Sequence, residues 1–267
     1  MYTTLISEKI KILILGCGWV GEEFAYRMRE DGCEVWVSTT TQAKAEKFER
    51  LGLKSVYIDF DEDLDTIALP STFDFILNSI PASSRNTAEV LERRFQNVKS
   101  FLEQLDFKKH IFLSSIGIYS DEDGVYDESS LVGLDTRLLH AEQLMNTINE
   151  TLVYRLGGLF GKDRIFAKYF DGGVCTTGNQ PANFVHLEDV VQLIQQGFLF
   201  LDAPDTYNIV APLHPLKKEV ILASAAKYGF NPPRSFEPLA RGQKVVSGEK
   251  IIKKLEYTFR YPSPLYF

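Results

Sequence analysis

The chain has 267 residues, 45% of them hydrophobic and 24% charged. At that length about 73% of the unfolded chain's surface is buried on folding, enough for a full core without metals or disulfides, and the composition excludes disorder as the main state. Its 29 Lys and Arg against 36 Asp and Glu leave a formal net charge of −7, which argues against a nucleic-acid or anionic-membrane partner held by bulk charge.

Cys17, Cys33 and Cys175 are too few and too widely spaced for a disulfide framework or a zinc site, so no metal is expected. The N-terminal MYTTLISEKIK has no signal-peptide core, and there is no run of 18 apolar residues; a cytoplasmic protein is expected. In chain order, Ile10–Leu15 is a run buried on both faces, the habit of parallel strands, stopped by Gly16. Val20, Phe24, Ala25 and Met28 follow at helical spacing up to Gly32. Strands are predicted over Glu34–Ser38, Ser55–Phe60, Phe73–Ile80, His110–Ser114 and Thr151–Leu156. Helices are predicted over Gln42–Arg50, Asn86–Leu105 and Asp135–Ile148.

This alternation predicts an α/β fold, a doubly wound parallel sheet with helices on both faces. The pattern fades after Phe160, and helices return at Glu188–Leu201, Leu216–Lys227 and Gly248–Leu255. Residues 1–160 therefore read as a dinucleotide-binding Rossmann domain. Residues 161–267 read as a smaller, mostly helical substrate-side part, with at least one segment returning to the sheet.

Gly16-Cys17-Gly18-Trp19-Val20-Gly21 joins the first strand to the first helix, the context in which GxGxxG holds a pyrophosphate. Gly16 permits the tight turn, Gly18 lets backbone approach the phosphates, and Gly21 allows helix–strand packing. Trp19 and Val20 complete the first helical turn, whose N–H groups face an anion; a ligand-free turn is the alternative reading. The second strand runs out as Val37-Ser38-Thr39-Thr40-Thr41, without the acid that accepts from an NAD ribose. The hydroxyls of Ser38, Thr39 and Thr40, with Lys44 one turn on, suit a 2′-phosphate and favour NADP over NAD. Thr40 or Thr41 also suits the cap of the next helix.

The chain resembles, over nearly its whole length, the extended short-chain dehydrogenase/reductases, the NAD-dependent epimerase/dehydratase superfamily. Gly16–Gly21 is similar to the family's nucleotide loop, and Asp59-Phe60 ends the third strand where an adenine-contacting Asp usually sits. The segment Phe112-Leu113-Ser114-Ser115-Ile116-Gly117-Ile118-Tyr119 resembles the family's serine segment. There Ser115 matches the catalytic serine, and Ser114 lies beside the cofactor. Tyr154-Arg155-Leu156, Asn183–Val190 and Tyr207-Asn208-Ile209 resemble three later family segments. The resemblance implies a NAD or NADP cofactor, a small polar, sugar-like substrate and a homodimer built on two helices. It implies neither a nucleic-acid nor a membrane partner.

The departure is in the proton relay. The family places a Tyr and, four residues later, a Lys on one helix face. Aligned on Glu142, those positions hold Leu134 and Leu138, and residues 127–150 contain no Tyr and no Lys. Leucines move no protons. Residual candidates are Ser115 and Tyr119 as catalytic groups, with Tyr126 in the same loop, and Arg137 and His186 toward substrate. Each has a plainer alternative: a strand-ending hydrogen bond for Ser115, packing for Tyr119, a solvated helix face for Arg137, a structural role for His186. Arg155 lies in a strand that reads as buried, so its charge must be paired. Asp121 through Glu128 reads as a solvated acidic loop. Two functions fit: an oxidoreductase or epimerase-like enzyme with an altered active site, or a non-catalytic dinucleotide-binding sensor or partner-binding protein.

Overall fold

The computed structural model describes residues 9–64, 68–82, 86–237 and 242–267. The first half runs β1 (Lys11–Leu15), α1 (Trp19–Glu30), β2 (Glu34–Thr39), α2 (Gln42–Arg50), β3 (Lys54–Tyr57), β4 (Thr72–Asn78), α3 (Ala88–Leu102) and β5 (Asp106–Ser115). Then come β6 (Gly124–Tyr126), α4 (Thr136–Asn146), β7 (Thr151–Leu156), β8 (Gly158–Phe160), β9 (Val174–Cys175), β10 (Phe184–His186) and α5 (Leu187–Phe200). The chain closes with β11 (Asp205–Ile209), α6 (Lys217–Tyr228), β12 (Ser235–Phe236), β13 (Lys244–Val246) and α7 (Glu249–Leu255).

Seven strands form one sheet in the order β3-β2-β1-β4-β5-β7-β11, and every neighbouring pair is parallel. Side-chain alternation along β1 shows why both faces are covered. Ile12 and Ile14 join the core with Phe24 of α1 and Val190 of α5, while Leu13 and Leu15 join Leu91 and Phe95 of α3 and Met145 of α4. The strand order reverses between β1 and β4. In open α/β sheets ligands bind beyond the carboxyl ends of the strands at such a reversal.

Two features depart from the sequence expectation. The third predicted strand ends early, at Tyr57, and Ile58–Asp61 turns away from the sheet over its carboxyl edge. The second is a set of short strands the sequence did not signal: besides β11 in the main sheet, three parallel two-stranded pairs tie β8 to β10, β9 to β12 and β6 to β13. Runs of two or three residues are too short to carry a period-2 signal.

Candidate functional site

The carboxyl ends of β1 to β4 enclose a cavity of about 440 Å³. Its walls are the Gly16–Gly18 turn, Ser38–Thr41 and Lys44, Ile58–Asp61, Ile80 and Pro81, and Arg94 of α3. The three glycines of the motif differ in what requires them. Gly16 has φ +67°, and a Cβ there would meet Ile80 at 3.0 Å, so the fold itself demands glycine. A Cβ on Gly21 would meet Ile14 Cγ2 at 3.0 Å, which is the close helix–strand packing. Gly18 has an ordinary negative φ of −91°, and its Cβ would meet only Gly16 O, at 3.7 Å. No contact within the chain keeps Gly18 bare. It is also the N-cap of α1 and brings no side-chain acceptor to the first turn.

The hydroxyls after β2 divide their work. Ser38 is a buried part of the cavity wall, and its Oγ accepts from Gly16 N–H at 2.8 Å, so it holds the glycine turn. Thr39, also buried, accepts from Thr41 N–H at 3.4 Å; Thr40 is exposed at the cavity rim, and Thr41 sits at the N-cap of α2 without a side-chain cap. Lys44 reaches back to the motif: Nζ donates to Cys17 O at 2.7 Å and lies 5.6 Å from the Phe48 ring centre. Burial pushes the Cys17 thiol up to about 12, so it stays protonated and inert. Asp59 lies in the wall, its Oδ1 accepting from Asp61 N–H at 3.0 Å.

Arg94 and Asp61 complete the wall and were not anticipated. Arg94 Nε and Nη2 grip Asp61 at 2.7 and 2.6 Å, and Nη1 donates to Pro81 O at 2.9 Å. This grip holds the Asp61 carboxyl below its ordinary value. A sequence signal existed: Arg94 stands with Leu91, Phe95 and Val98 at i, i+3, i+4, i+7 spacing, a charge inside the apolar stripe of α3.

Past β5 the expected catalytic groups are mostly committed elsewhere. Ser114 points to the interior and donates to Glu142 Oε1 at 2.6 Å, which removes its side chain from the cofactor set. Ser115 is half-buried at the strand's carboxyl end; its Oγ accepts from Gly117 N–H at 3.0 Å and caps the short turn Ile116–Ile118. Tyr119 is only 2% exposed. Its hydroxyl donates to Asn208 Oδ1 at 2.9 Å and accepts from Arg155 Nη1 at 2.8 Å, so the phenol is saturated inside the protein. Burial raises its pKa, against the opposing pull of Arg155. These contacts correct the reading of Tyr119 as a reacting group. Arg155 grips Glu142 through Nε and Nη2, at 3.0 and 2.6 Å. Burial opposes the Arg155 charge, and Glu142 more than offsets it, so the pKa is raised. Tyr126 shares a 3.0 Å hydrogen bond with Ser120 Oγ. Glu128 departs from the solvated-loop reading: Asn208 N–H donates to it at 2.6 Å, and burial raises its pKa.

Leu138 is 2% exposed and packs with Ile116, Ile118 and Tyr119. Leu134 does not share its helix face, because α4 starts at Thr136. Asp135 caps that start by accepting from the N–H groups of Arg137 and Leu138 at 3.0 and 3.2 Å, which puts Leu134 just outside the helix. Leu134 and Leu139 take the staple positions flanking the cap and pack on the same cluster. Arg137 folds onto Asp135 at 2.7 Å.

His186 caps α5, its Nδ1 accepting from Glu188 N–H at 3.2 Å, and stacks on Tyr261 at 3.7 Å. Burial lowers its pKa. It borders a separate cavity of about 270 Å³ with Glu23, Lys162 and Phe267, away from the glycine turn. Trp19 meets a loop the sequence did not single out: its Nε1 donates to Asp163 Oδ1 at 2.9 Å, and the Arg164 guanidinium lies 4.2 Å from its ring centre. Lys162 pairs with Glu23 beside it, so this loop is strapped to the first turns of α1.

No family model matches the chain. It is 29% identical to Protein YeeZ of Escherichia coli strain K12, a match covering 96% of this chain and 97% of that protein. It superposes on the ADP-L-glycero-D-manno-heptose-6-epimerase of Helicobacter pylori with a TM-score of 0.77 and 16% identity, covering 97% of this chain and 94% of that one. On the human epimerase family protein SDR39U1, solved with NADPH, the TM-score is 0.70 at 16% identity, covering 96% and 97%. No described helix is long and apolar enough to cross a membrane. The superposition runs over nearly the whole chain, seven-stranded parallel sheet included, and the chain has the fold of the NAD-dependent epimerase/dehydratases, the extended short-chain dehydrogenase/reductase family.

Proposed function

We propose that the chain binds a nicotinamide dinucleotide in the cavity at the glycine turn, NADP ahead of NAD. We further propose that it acts as an oxidoreductase or epimerase-like enzyme with an altered proton relay, on a small polar, sugar-like substrate. The observation that carries the reading is Gly18. The fold requires its two companion glycines and leaves this one bare at an uncapped helix start, where only an outside group uses the space. The cavity's donor set fits the group. The first-turn amides of α1 would hold the pyrophosphate and Asp59 the adenine amino group. Thr40 and Lys44 sit at the rim where a 2′-phosphate would need a hydroxyl and a cation. When bound, the nicotinamide supplies hydride transfer. Ser115 is the half-buried hydroxyl at the β5 edge, placed to polarise a substrate carbonyl. The NADPH of human SDR39U1 and the sugar-nucleotide substrate in the H. pylori enzyme's name support the cofactor and substrate classes.

A second reading, a non-catalytic dinucleotide sensor or partner-binding protein, is favoured by Leu138. Aligned on Glu142 it falls at the family's lysine position, and its side chain is buried and apolar, beside a tyrosine whose hydroxyl already donates and accepts within the protein. Calorimetric titration with NADPH and NADH, followed by a reductase screen over sugar nucleotides and simple ketones, separates the two. Binding with turnover supports the enzyme. Binding without turnover supports the sensor, and no binding of either dinucleotide sinks both.

A further inference from the structure

One residue of α3 bridges the cavity at the glycine turn. Arg94 is 9% exposed, deep enough that its charge needs fixed partners. It finds them on two separate walls. Nε and Nη2 donate to the two carboxylate oxygens of Asp61 at 2.7 and 2.6 Å, on the turn that follows β3. Nη1 donates to Pro81 O at 2.9 Å, on the segment that follows β4. Asp61, Pro81 and Arg94 all line the cavity. In the sheet β2 and β1 stand between β3 and β4, so no strand pairing joins these walls. The planar fork of a guanidinium can hold both at once, which a lysine's single ammonium cannot.

The bridge continues to a second carboxylate. Asp61 N–H donates to Asp59 Oδ1 at 3.0 Å, so the residue that Arg94 grips by its side chain orients Asp59 through its backbone. Among the described residues Asp59 Oδ2 has no hydrogen-bond partner, and Asp59 also lines the cavity. From the same helix, Asn97 Nδ2 donates to Phe60 O and Glu62 O at 3.0 Å each, and the Phe60 ring sits edge-on to Phe101 at 5.6 Å. Side chains of α3 thus fix a stretch that lies beyond the end of β3.

We propose that Arg94 is a positioning residue for the base-binding end of the cavity: by tying Asp61 to Pro81 it fixes Asp59 so that the site selects a purine with a 6-amino group over one with a 6-oxo group. This rests on the dinucleotide reading above. A carboxylate only accepts; the amino group of adenine gives it a proton, whereas the carbonyl oxygen of hypoxanthine sets acceptor against acceptor. A site built to hydrogen-bond one group rejects the analogue that lacks it. Hypoxanthine also carries an N–H on the neighbouring ring atom. A loosened Asp59 would swing to that donor and lose the preference, so the selection depends on the bridge.

NADPH and its hypoxanthine analogue are titrated by calorimetry into wild type and Arg94→Met, which keeps the apolar stem and removes the fork. Wild type should bind NADPH roughly ten- to a hundred-fold more tightly, the worth of one hydrogen bond to a charged acceptor. In Arg94→Met the preference should fall to within about threefold, whatever happens to the absolute affinities. An arginine with a merely structural role would weaken both dinucleotides alike and leave their ratio unchanged, which overturns the proposal. A wild type that binds the two equally overturns it as well. Should Arg94→Met fail to fold, Asp61→Asn decides by the same ratio, since it keeps the backbone N–H and removes the ion pair. A wild type that binds neither dinucleotide sinks the dinucleotide reading and this one with it, whereas binding with an unchanged ratio sinks this one alone.

Discussion

Gly16 and Gly18 stand two residues apart and answer to different masters. Valine at Gly16 needs a left-handed backbone and collides with Ile80, so Gly16→Val should cost about 1–3 kcal/mol of stability from backbone strain alone. Valine at Gly18 meets only Gly16 O at 3.7 Å. Gly18→Val should therefore cost no more than the roughly 1 kcal/mol of a poorer N-cap and still lose dinucleotide affinity by more than roughly tenfold, or about 1.4 kcal/mol. Melting curves with calorimetry check both halves, and a Gly18→Val protein that binds as wild type does removes the phosphate-turn assignment. In the proposed function Lys44 is the residue that favours NADP. Lys44→Ala should weaken NADP by roughly ten- to a hundred-fold while leaving NAD nearly unchanged, because one charge-assisted contact is lost from the 2′-phosphate alone. Equal losses for both dinucleotides would place Lys44 at the pyrophosphate instead.

At the scale of elements, α4 is docked by one buried ion pair. Glu142 reaches from the helix to Arg155 on β7 and takes the Ser114 hydroxyl from β5 as well, so a single carboxylate joins three elements. Glu142→Ala would strand the Arg155 charge in the interior and should cost about 3–5 kcal/mol, read by denaturant unfolding. A loss under about 1 kcal/mol would mean that water reaches the pair, as at a surface bridge. The cap at Asp135 sorts the two relay-position leucines, one inside α4 and one outside. Leu138→Lys should accordingly destabilise far more than Leu134→Lys, since only the first forces an ammonium into the Ile116–Ile118 cluster. Equal melting losses would show that both positions face the same buried wall.

Across the whole molecule, acid stability should be set by histidines locked neutral in the core. His110 on β5 is fully buried, its Nδ1 paired with Thr151 Oγ1 on β7 at 2.9 Å, and burial pulls its pKa down to about 3. An unfolded histidine takes a proton near pH 6.5. Below that pH the unfolded chain gains a proton that the fold refuses, so stability is full above pH 6.5 and drains until the pH reaches about 3. For His110 alone the loss between pH 7 and pH 5 is about 2 kcal/mol. His186 and His214, also lowered by burial, act in the same direction. Denaturant unfolding at the two pH values checks this, with His110→Gln flattening the dependence; a slope unchanged by His110→Gln would mean that His110 protonates in the folded state.

Much of this protein was legible one segment at a time. The Ile10–Leu15 run, the glycines after it and the helical spacing from Val20 to Met28 specify a strand, a turn and a helix. Periodicity and backbone freedom are properties of contiguous residues, so the parallel sheet and the glycine turn could be read from them. The absence of Tyr and Lys from residues 127–150 was equally visible. Tertiary structure decided which polar groups remain available, because each commitment joins distant residues: Tyr119 to Asn208 across 89 positions, Arg94 to Asp61 across 33, Trp19 to Asp163 across 144. A hydroxyl or a guanidinium looks the same in a sequence whether it faces solvent or a buried partner. Only the packing of β5, β7 and β11 with α4 spent Ser114 and Tyr119 on the core.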